Sequence, residues 1–129
     1  MTRRPRLLLA DDHPLFLEGV RRLLETKYEV VGTVADGNAL VDAAKDLRPD
    51  VIVVDISMPE MNGLDAAREI RRRSPNIPIL MVTLHMSPQL EHQARKVGIR
   101  GACDKNDVGC VVEAVETLLH QGTYYRHWH

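Results

Sequence analysis

The sequence predicts one α/β domain, a doubly wound five-stranded parallel sheet of strand order 2-1-3-4-5 flanked by five helices. Three observations predict it. Apolar runs alternate five times with segments of helical spacing, which argues for parallel strands covered by helices on both faces. The runs themselves, such as RLLLA, VIVV and IPILMV, are nearly continuous, as strands buried on both faces must be. Right-handed crossovers then leave few ways to connect the units, and 2-1-3-4-5 is a common doubly wound order.

The first unit is a strand at 6–11, RLLLAD, followed by Asp12 as N-cap and Pro14 in the first helical turn. Phe16, Val20, Leu23 and Leu24 fall on one face of that helix. EVVGTVA at 29–35 is the second strand; Asp36 caps the next helix, Leu40, Ala43, Ala44 and Leu47 line it, and Pro49 stops it. VIVVD at 51–55 leads through the loop SMPEMNG to a helix carrying Leu64, Ala67 and Ile70. This helix ends in Arg71, Arg72 and Arg73, read as a solvated helix end that complements the dipole rather than as a nucleic-acid patch. IPILMVT at 77–83 precedes Ser87 and Pro88, an N-cap and first-turn pair. The short helix that follows has a thin apolar face of Leu90, Ala94 and Val97 and is closed by Gly98. Last come a short strand at 101–104 and a helix with Val108, Val111, Val112, Val115, Leu118 and Leu119, ended by Gly122. The domain thus spans 1–122, and 123–129 is a tail or the start of a linker. Tyr124, Tyr125 and Trp128 read as an exposed aromatic cluster, a linker start or a partner-binding edge, and His127 and His129 as part of an unstructured terminus.

Composition narrows the function. A chain of 129 residues, 44% apolar and 27% charged, holds one core large enough to be stable unaided and has no room for a second domain. With a formal net charge of -1, no whole-molecule field draws it to nucleic acid or to an anionic membrane. No apolar run approaches the roughly 20 residues of a membrane helix, and MTRRPR leads straight into a strand instead of a signal-peptide core, so the expected location is the cytoplasm. Cys103 and Cys110 are accordingly read as reduced, small buried hydrophobes.

The chemistry lies where strands end. Asp11 and Asp12 follow the first strand, Asp55 ends the third, Thr83 ends the fourth and Lys105 follows the fifth, so one sheet edge receives all of them. Carboxylates about 4 Å apart repel by roughly 1–4 kcal/mol per pair at the dielectric of water or a protein surface, so a cation must hold them together. Oxygen ligands from two or three carboxylates suit Mg²⁺, which keeps several waters and prefers half-built sites. With Lys105 included, three negative charges meet three positive ones, and a phosphoryl group fits the remaining open face against the metal, the lysine and a threonine hydroxyl. Asp55 is the candidate nucleophile, because the loop after it, with Pro59 and Gly63, leaves its side chain at an open rim, whereas Asp11 and Asp12 are placed to hold metal.

These motifs, LLLADDHP, VIVVDISMPEMNGLDA, ILMVTLH and GACDK, together resemble response-regulator receiver domains over roughly residues 6 to 122. The resemblance implies the flavodoxin-like receiver fold and a phosphorylation switch. Asp55 would accept a phosphoryl group from a sensor histidine kinase. Asp11, Asp12, Asp55 and the main-chain carbonyl of Ser57 would hold Mg²⁺, and Thr83 and Lys105 would bind phosphoryl oxygens. Thr83 would move inward on phosphorylation, rearranging the surface of helix four, strand five and helix five. DDHPLFLEGVRRLLE and GTYY resemble the NarL/FixJ-type subfamily, whose receivers precede a helix-turn-helix DNA-binding domain. None is present here, so the chain is expected to be an isolated receiver or a single-domain regulator, touching nucleic acid only through an absent output domain and a membrane not at all. The kinase should dock near the first helix and the Asp55 loop. A homodimer would use the helix-four, strand-five, helix-five surface or helices one and five. Such a domain is a regulator and not an enzyme, although it mediates its own phosphoryl transfer and slow dephosphorylation.

The chain also departs from the family pattern. Many receivers carry Tyr or Phe three residues before the lysine as a rotamer switch, and here the residue is Ala102. Asp104 places a further negative charge beside Lys105, and Met86 and Ser87 stand where acidic residues are common. These changes leave the phosphorylation chemistry intact and are expected to weaken its coupling to helix four, so that Ala102→Tyr should enlarge the phosphorylation-dependent response. His85 reads either as a position that tunes the acyl-phosphate lifetime or as a surface histidine. Three other classes compete with this reading. A haloacid-dehalogenase-type phosphatase needs a second acid two residues past the nucleophile, where Ser57 stands. A flavin binder needs a first loop that cradles phosphate, and ADDH repels it. A degenerate, phosphorylation-independent receiver acting as an interaction module is the runner-up.

Overall fold

A computed structural model describes residues 3–58 and 61–125. The expected alternation is present: β1 (Arg6–Ala10), α1 (Pro14–Leu24), β2 (Glu29–Val34), α2 (Gly37–Leu47), β3 (Val51–Asp55), α3 (Gly63–Arg73), β4 (Ile79–Thr83), α4 (Pro88–Lys96), β5 (Gly101–Asp104) and α5 (Val108–Leu119). A sixth, two-residue strand, β6 (Tyr124–Tyr125), adds to the edge, giving an all-parallel sheet of order β2-β1-β3-β4-β5-β6. The five-strand order read from the sequence is therefore kept and extended by one. Of the residues singled out above, Pro59, His127, Trp128 and His129 lie outside the described residues.

Each strand sends successive side chains to opposite faces, so the sheet separates two cores. Leu7, Leu9, Val51, Val53, Leu80, Val82 and Cys103 pack against α1 and α5 through Val20, Leu24, Val111, Val115 and Leu118. Leu8, Ala10, Ile52, Val54, Ile79, Met81 and Ala102 pack against α2, α3 and α4 through Leu40, Ala44, Ala66, Ala67, Ile70 and Ala94. This two-sided burial is why the strands read as continuous apolar runs. Leu23, expected on the buried face of α1, is 41% exposed, because Val20 and Leu24 already fill the contact with the sheet.

The helix ends follow local chemistry, with two corrections. Asp36 accepts from Ala39 N at 2.8 Å and Ser87 from Leu90 N at 3.1 Å, as N-caps do. Asp12 is not an N-cap: with Pro14 opening α1, the cap position falls to His13, whose side chain makes no capping bond, and the Asp12 carboxylate is left for the sheet edge. Gly98 closes α4 in the left-handed region, φ +89°. After α5 the left-handed residue is Gln121, φ 65°, and not Gly122. Gly122 serves close approach instead, since a Cβ there would lie 2.8 Å from Thr117 Cγ2.

Two further expectations are corrected. Tyr124 and Tyr125 are half-buried members of the sheet, not an exposed cluster, because β6 pairs Gly101 with Tyr124 and Ala102 with Tyr125. Cys103 and Cys110 are not reduced: they are joined in a disulfide with a Cα–Cα distance of 6.0 Å, inside the span such a bond requires. The first turn of α5 folds back on the end of β5 and brings the two sulfurs together, a contact between elements that residue spacing does not reveal. Both cysteines still pack in the α1/α5 core, as expected.

Candidate functional site

Four polar side chains are buried in the described structure, Asp11, Asp55, Thr83 and Lys105, and all stand at the C-terminal edge of the sheet. The register explains the convergence. β1 and β3 run side by side, so Asp11 and Asp55 leave adjacent strands at nearly the same height, and β4 pairs Thr83 with Asp104, the residue before Lys105. Lys105 is aimed inward by its own amide, which donates to Thr83 O at 2.9 Å, and its Nζ lies 4.8 Å from the centroid of the Phe16 ring.

The ammonium of Lys105 is the hub. It donates to Asp11 Oδ1 at 3.0 Å and to Asp55 Oδ2 at 3.1 Å and lies 2.8 Å from Asp11 Oδ2. Asp55 Oδ1 accepts the Ser57 N–H at 3.2 Å, and Thr83 Oγ1 accepts the His85 N–H at 3.2 Å. Asp55 is not at the open rim expected of it but 3% exposed, held under the Lys105 ammonium; burial, and after it the neighbouring Asp11 carboxylate, pushes it above the usual carboxylate value, while the Ser57 N–H and Lys105 pull it back. Asp12 stays at the solvent rim. Asp104 does not compete for Lys105: its carboxylate accepts from Asn106 N at 2.8 Å and shapes the loop instead.

One member of the site went unread in the sequence. His13 Nδ1 lies 2.9 Å from Asp11 Oδ1, 3.3 Å from Asp12 Oδ1, 3.8 Å from Asp55 Oδ2 and 2.5 Å from Lys105 Nζ. Its signal was its place between the acidic pair and the helix-opening Pro14, where a short connection keeps the ring at the edge. His85, by contrast, is exposed beyond Thr83.

The donor set fits a hard divalent cation. Ligand atoms of Asp11, Asp12, His13 and Asp55 all lie within 4.8 Å of one another. Asp11 Oδ2 is buried and, apart from its ion pair with Lys105, receives no hydrogen bond, an oxygen with capacity left for a metal. Three carboxylates against one lysine leave an excess of negative charge that a divalent ion would offset.

The sequence matches the family described as "Response regulator receiver domain" over residues 7–116. Among curated proteins it is 36% identical to the transcriptional regulatory protein DegU of Brevibacillus brevis over 121 residues, 92% of this chain and 51% of that protein. The chain spans about half the length of the curated relatives it matches. Among solved structures it superposes on a LuxR-family two-component response regulator from Aurantimonas sp. SI85-9A1 with a TM-score of 0.90 at 32% identity, covering 94% of this chain and 89% of that one. The signal receiver domain of the putative response regulator NarL from Mycobacterium tuberculosis gives 0.87 at 33% identity, covering 92% and 98%. With the sheet order, the buried aspartates and the inward lysine all at one edge, this chain belongs to the response-regulator receiver domain family.

Proposed function

We propose that this chain is a phosphorylation switch in which Asp55 accepts a phosphoryl group from a sensor histidine kinase and returns it slowly to water. The single observation that carries this is the hub at Lys105, one buried ammonium within 3.1 Å of carboxylate oxygens from two strands. Such a pocket is expensive to build for stability alone, since burying ions costs several kcal/mol each before pairing. It suits a group that must balance charge as a phosphoryl arrives.

In the step proposed, an Asp55 carboxylate oxygen attacks phosphorus, the P–N bond of the kinase phosphohistidine breaks, and the imidazole leaves with its electron pair and takes a proton. The Ser57 N–H holds Asp55 Oδ1 and so orients the attacking group. Lys105 and the Thr83 hydroxyl donate to phosphoryl oxygens; Asp11, Asp12, Asp55 and the Ser57 carbonyl would hold Mg²⁺, which would supply charge neutralisation at that edge. Burial of Asp55 at 3% exposure keeps bulk water from the acyl phosphate.

We assign the receiver unit to residues 1–122 and a tail or the start of a linker to 123–129, with β6 tying Tyr124 and Tyr125 to the sheet. No helix among the described residues is long and apolar enough to cross a membrane, and we place the domain in the cytoplasm as a regulator, not an enzyme. The output controlled is transcriptional, in the manner the names of its relatives state, through a DNA-binding partner domain and a homodimer.

The test is intact mass after incubation with Mg²⁺ and acetyl phosphate. One phosphoryl addition that requires Mg²⁺ and is absent in Asp55→Asn is the expected outcome. No addition would overturn the switch and leave a phosphorylation-independent interaction module.

A further inference from the structure

The loop that carries Lys105 is closed by a covalent bond that phosphoryl transfer does not require. Cys103 is the third residue of β5, opposite Val82, and Cys110 is the third residue of α5, with its amide donating to Asp107 Oδ1 at 3.1 Å. Their disulfide spans seven positions and encloses Asp104, Lys105, Asn106 and Asp107. The fold has no need of such a staple, since two continuous cores already bury the sheet on both faces. Its location points elsewhere. It bridges the strand that delivers Lys105 and the helix that follows, so its state bears on the ammonium that holds Asp11 and Asp55.

We propose that Cys103 and Cys110 are a reversible oxidation site that fastens the Lys105 loop when oxidised and frees it when reduced, with a dithiol carrier as the redox partner. The inference that this changes phosphoryl turnover rests on the function proposed above. The oxidation site itself does not.

The chemistry balances as thiol–disulfide exchange. A carrier thiolate attacks the Cys110 sulfur, since Cys110 keeps 5% exposure where Cys103 has none; the S–S bond breaks and Cys103 leaves as a thiolate and takes a proton. The carrier's second thiol then displaces Cys110 from the mixed disulfide, and the carrier leaves as its own cyclic disulfide. Two electrons and two protons pass from carrier to chain. Oxidation runs the same steps backwards, starting from the Cys110 thiolate, which the first turn of a helix favours.

Without the bond, the loop keeps its hydrogen bonds, Lys105 N to Thr83 O at 2.9 Å, Asp107 N to Asp104 O at 2.9 Å, Asn106 N to Asp104 Oδ1 at 2.8 Å and the Asp107 cap of α5, and Lys105 keeps its pairs with Asp11 and Asp55. These bonds and the packing of α5 on the sheet hold the fold but not the Cys103–Cys110 spacing at the first turn of α5, so the freed loop samples more positions of Lys105.

The experiment uses the chain purified without reductant and the same chain after dithiothreitol, with an alkylating reagent added in denaturant. Intact mass should show no alkylation before reduction and two alkyl groups after it, and oxidised dithiothreitol or diamide should restore the first result. Amide hydrogen exchange across residues 104–109 should quicken at least about threefold on reduction, and Tm should fall by about 5–10 °C, as for loss of a short-loop disulfide. The rate of phosphoryl uptake from acetyl phosphate should differ at least about threefold between the two forms, and a Cys110→Ser chain should behave as the reduced form whether or not dithiol is present. Two free thiols that resist oxidation would overturn the site. Equal exchange in the two forms would overturn the loop tether, and equal uptake its coupling to turnover. A chain that takes no phosphoryl group in either form overturns the switch instead, while thiol count, exchange and Tm still decide the oxidation site.

Discussion

Asp55 carries a conflict that its strand creates. As the last residue of β3 it is 3% exposed, and it lies close enough to Asp11 that burial and like charge together push its carboxyl above the usual carboxylate range. Between the ordinary carboxylate pKa and the raised one, the native chain holds a proton that the unfolded chain has released, so stability falls as pH rises through that window and stays lowered above it. Without Mg²⁺, Asp55→Asn should therefore be more stable than the parent at neutral pH, on the order of 1 kcal/mol, the usual size of a single-site effect. Lys105 keeps Asp11 and His13 as partners in the variant. Below about pH 4, where the unfolded carboxylate also protonates, the advantage should vanish. Urea midpoints measured across pH in EDTA check this, and a variant less stable than the parent at neutral pH would show that the Lys105 pairing outweighs the burial cost.

At the scale of elements, β6 changes the meaning of Ala102. The sequence showed a missing aromatic at this position and the expectation of weakened coupling, with Ala102→Tyr as the repair. In the structure Ala102 has no exposed surface and lies between Met81 of β4 and Tyr125 of β6, in register with both. The Tyr125 ring packs into the core on that face, its hydroxyl bonds Ile99 O, and the Arg95 guanidinium of α4 lies 3.9 Å from its centroid. An aromatic ring thus already stands between β5 and α4, delivered by the neighbouring strand. A tyrosine placed at 102 meets an occupied site, so Ala102→Tyr should cost about 1–3 kcal/mol, as overpacking does. In a Tyr125→Ala background the same substitution should cost less, because the space has been vacated. A double-mutant cycle by denaturant unfolding reads the coupling, and strictly additive costs would mean that the two side chains do not compete.

At the scale of the whole molecule, what the sequence disclosed and what it hid differ in physical kind. Strand order, the two-faced burial and the placement of Asp11, Asp55, Thr83 and Lys105 were legible because each follows from periodicity within a segment plus one handedness rule. The disulfide, β6 and the role of His13 were not, because each is a meeting of segments: α5 with β5, the chain end with the β5 edge, and a loop ring with two strand ends. Charge shows the same division. The chain is nearly neutral at -1, so bulk ionic strength should hardly alter its stability, yet three carboxylates and a single lysine crowd one edge. Mg²⁺ that binds the native pocket and not the unfolded chain must then stabilise the fold by mass action, about 2.7 kcal/mol at a hundredfold excess over Kd. Thermal melts in MgCl₂ should rise steadily with concentration, while NaCl of matched ionic strength leaves Tm in place. Asp12→Asn, at the solvent rim and outside the Lys105 hub, should abolish the Mg²⁺ response with little change in the metal-free Tm. Equal effects of the two salts, or an undiminished Mg²⁺ response in the variant, would mean that the acidic edge screens charge without binding the ion.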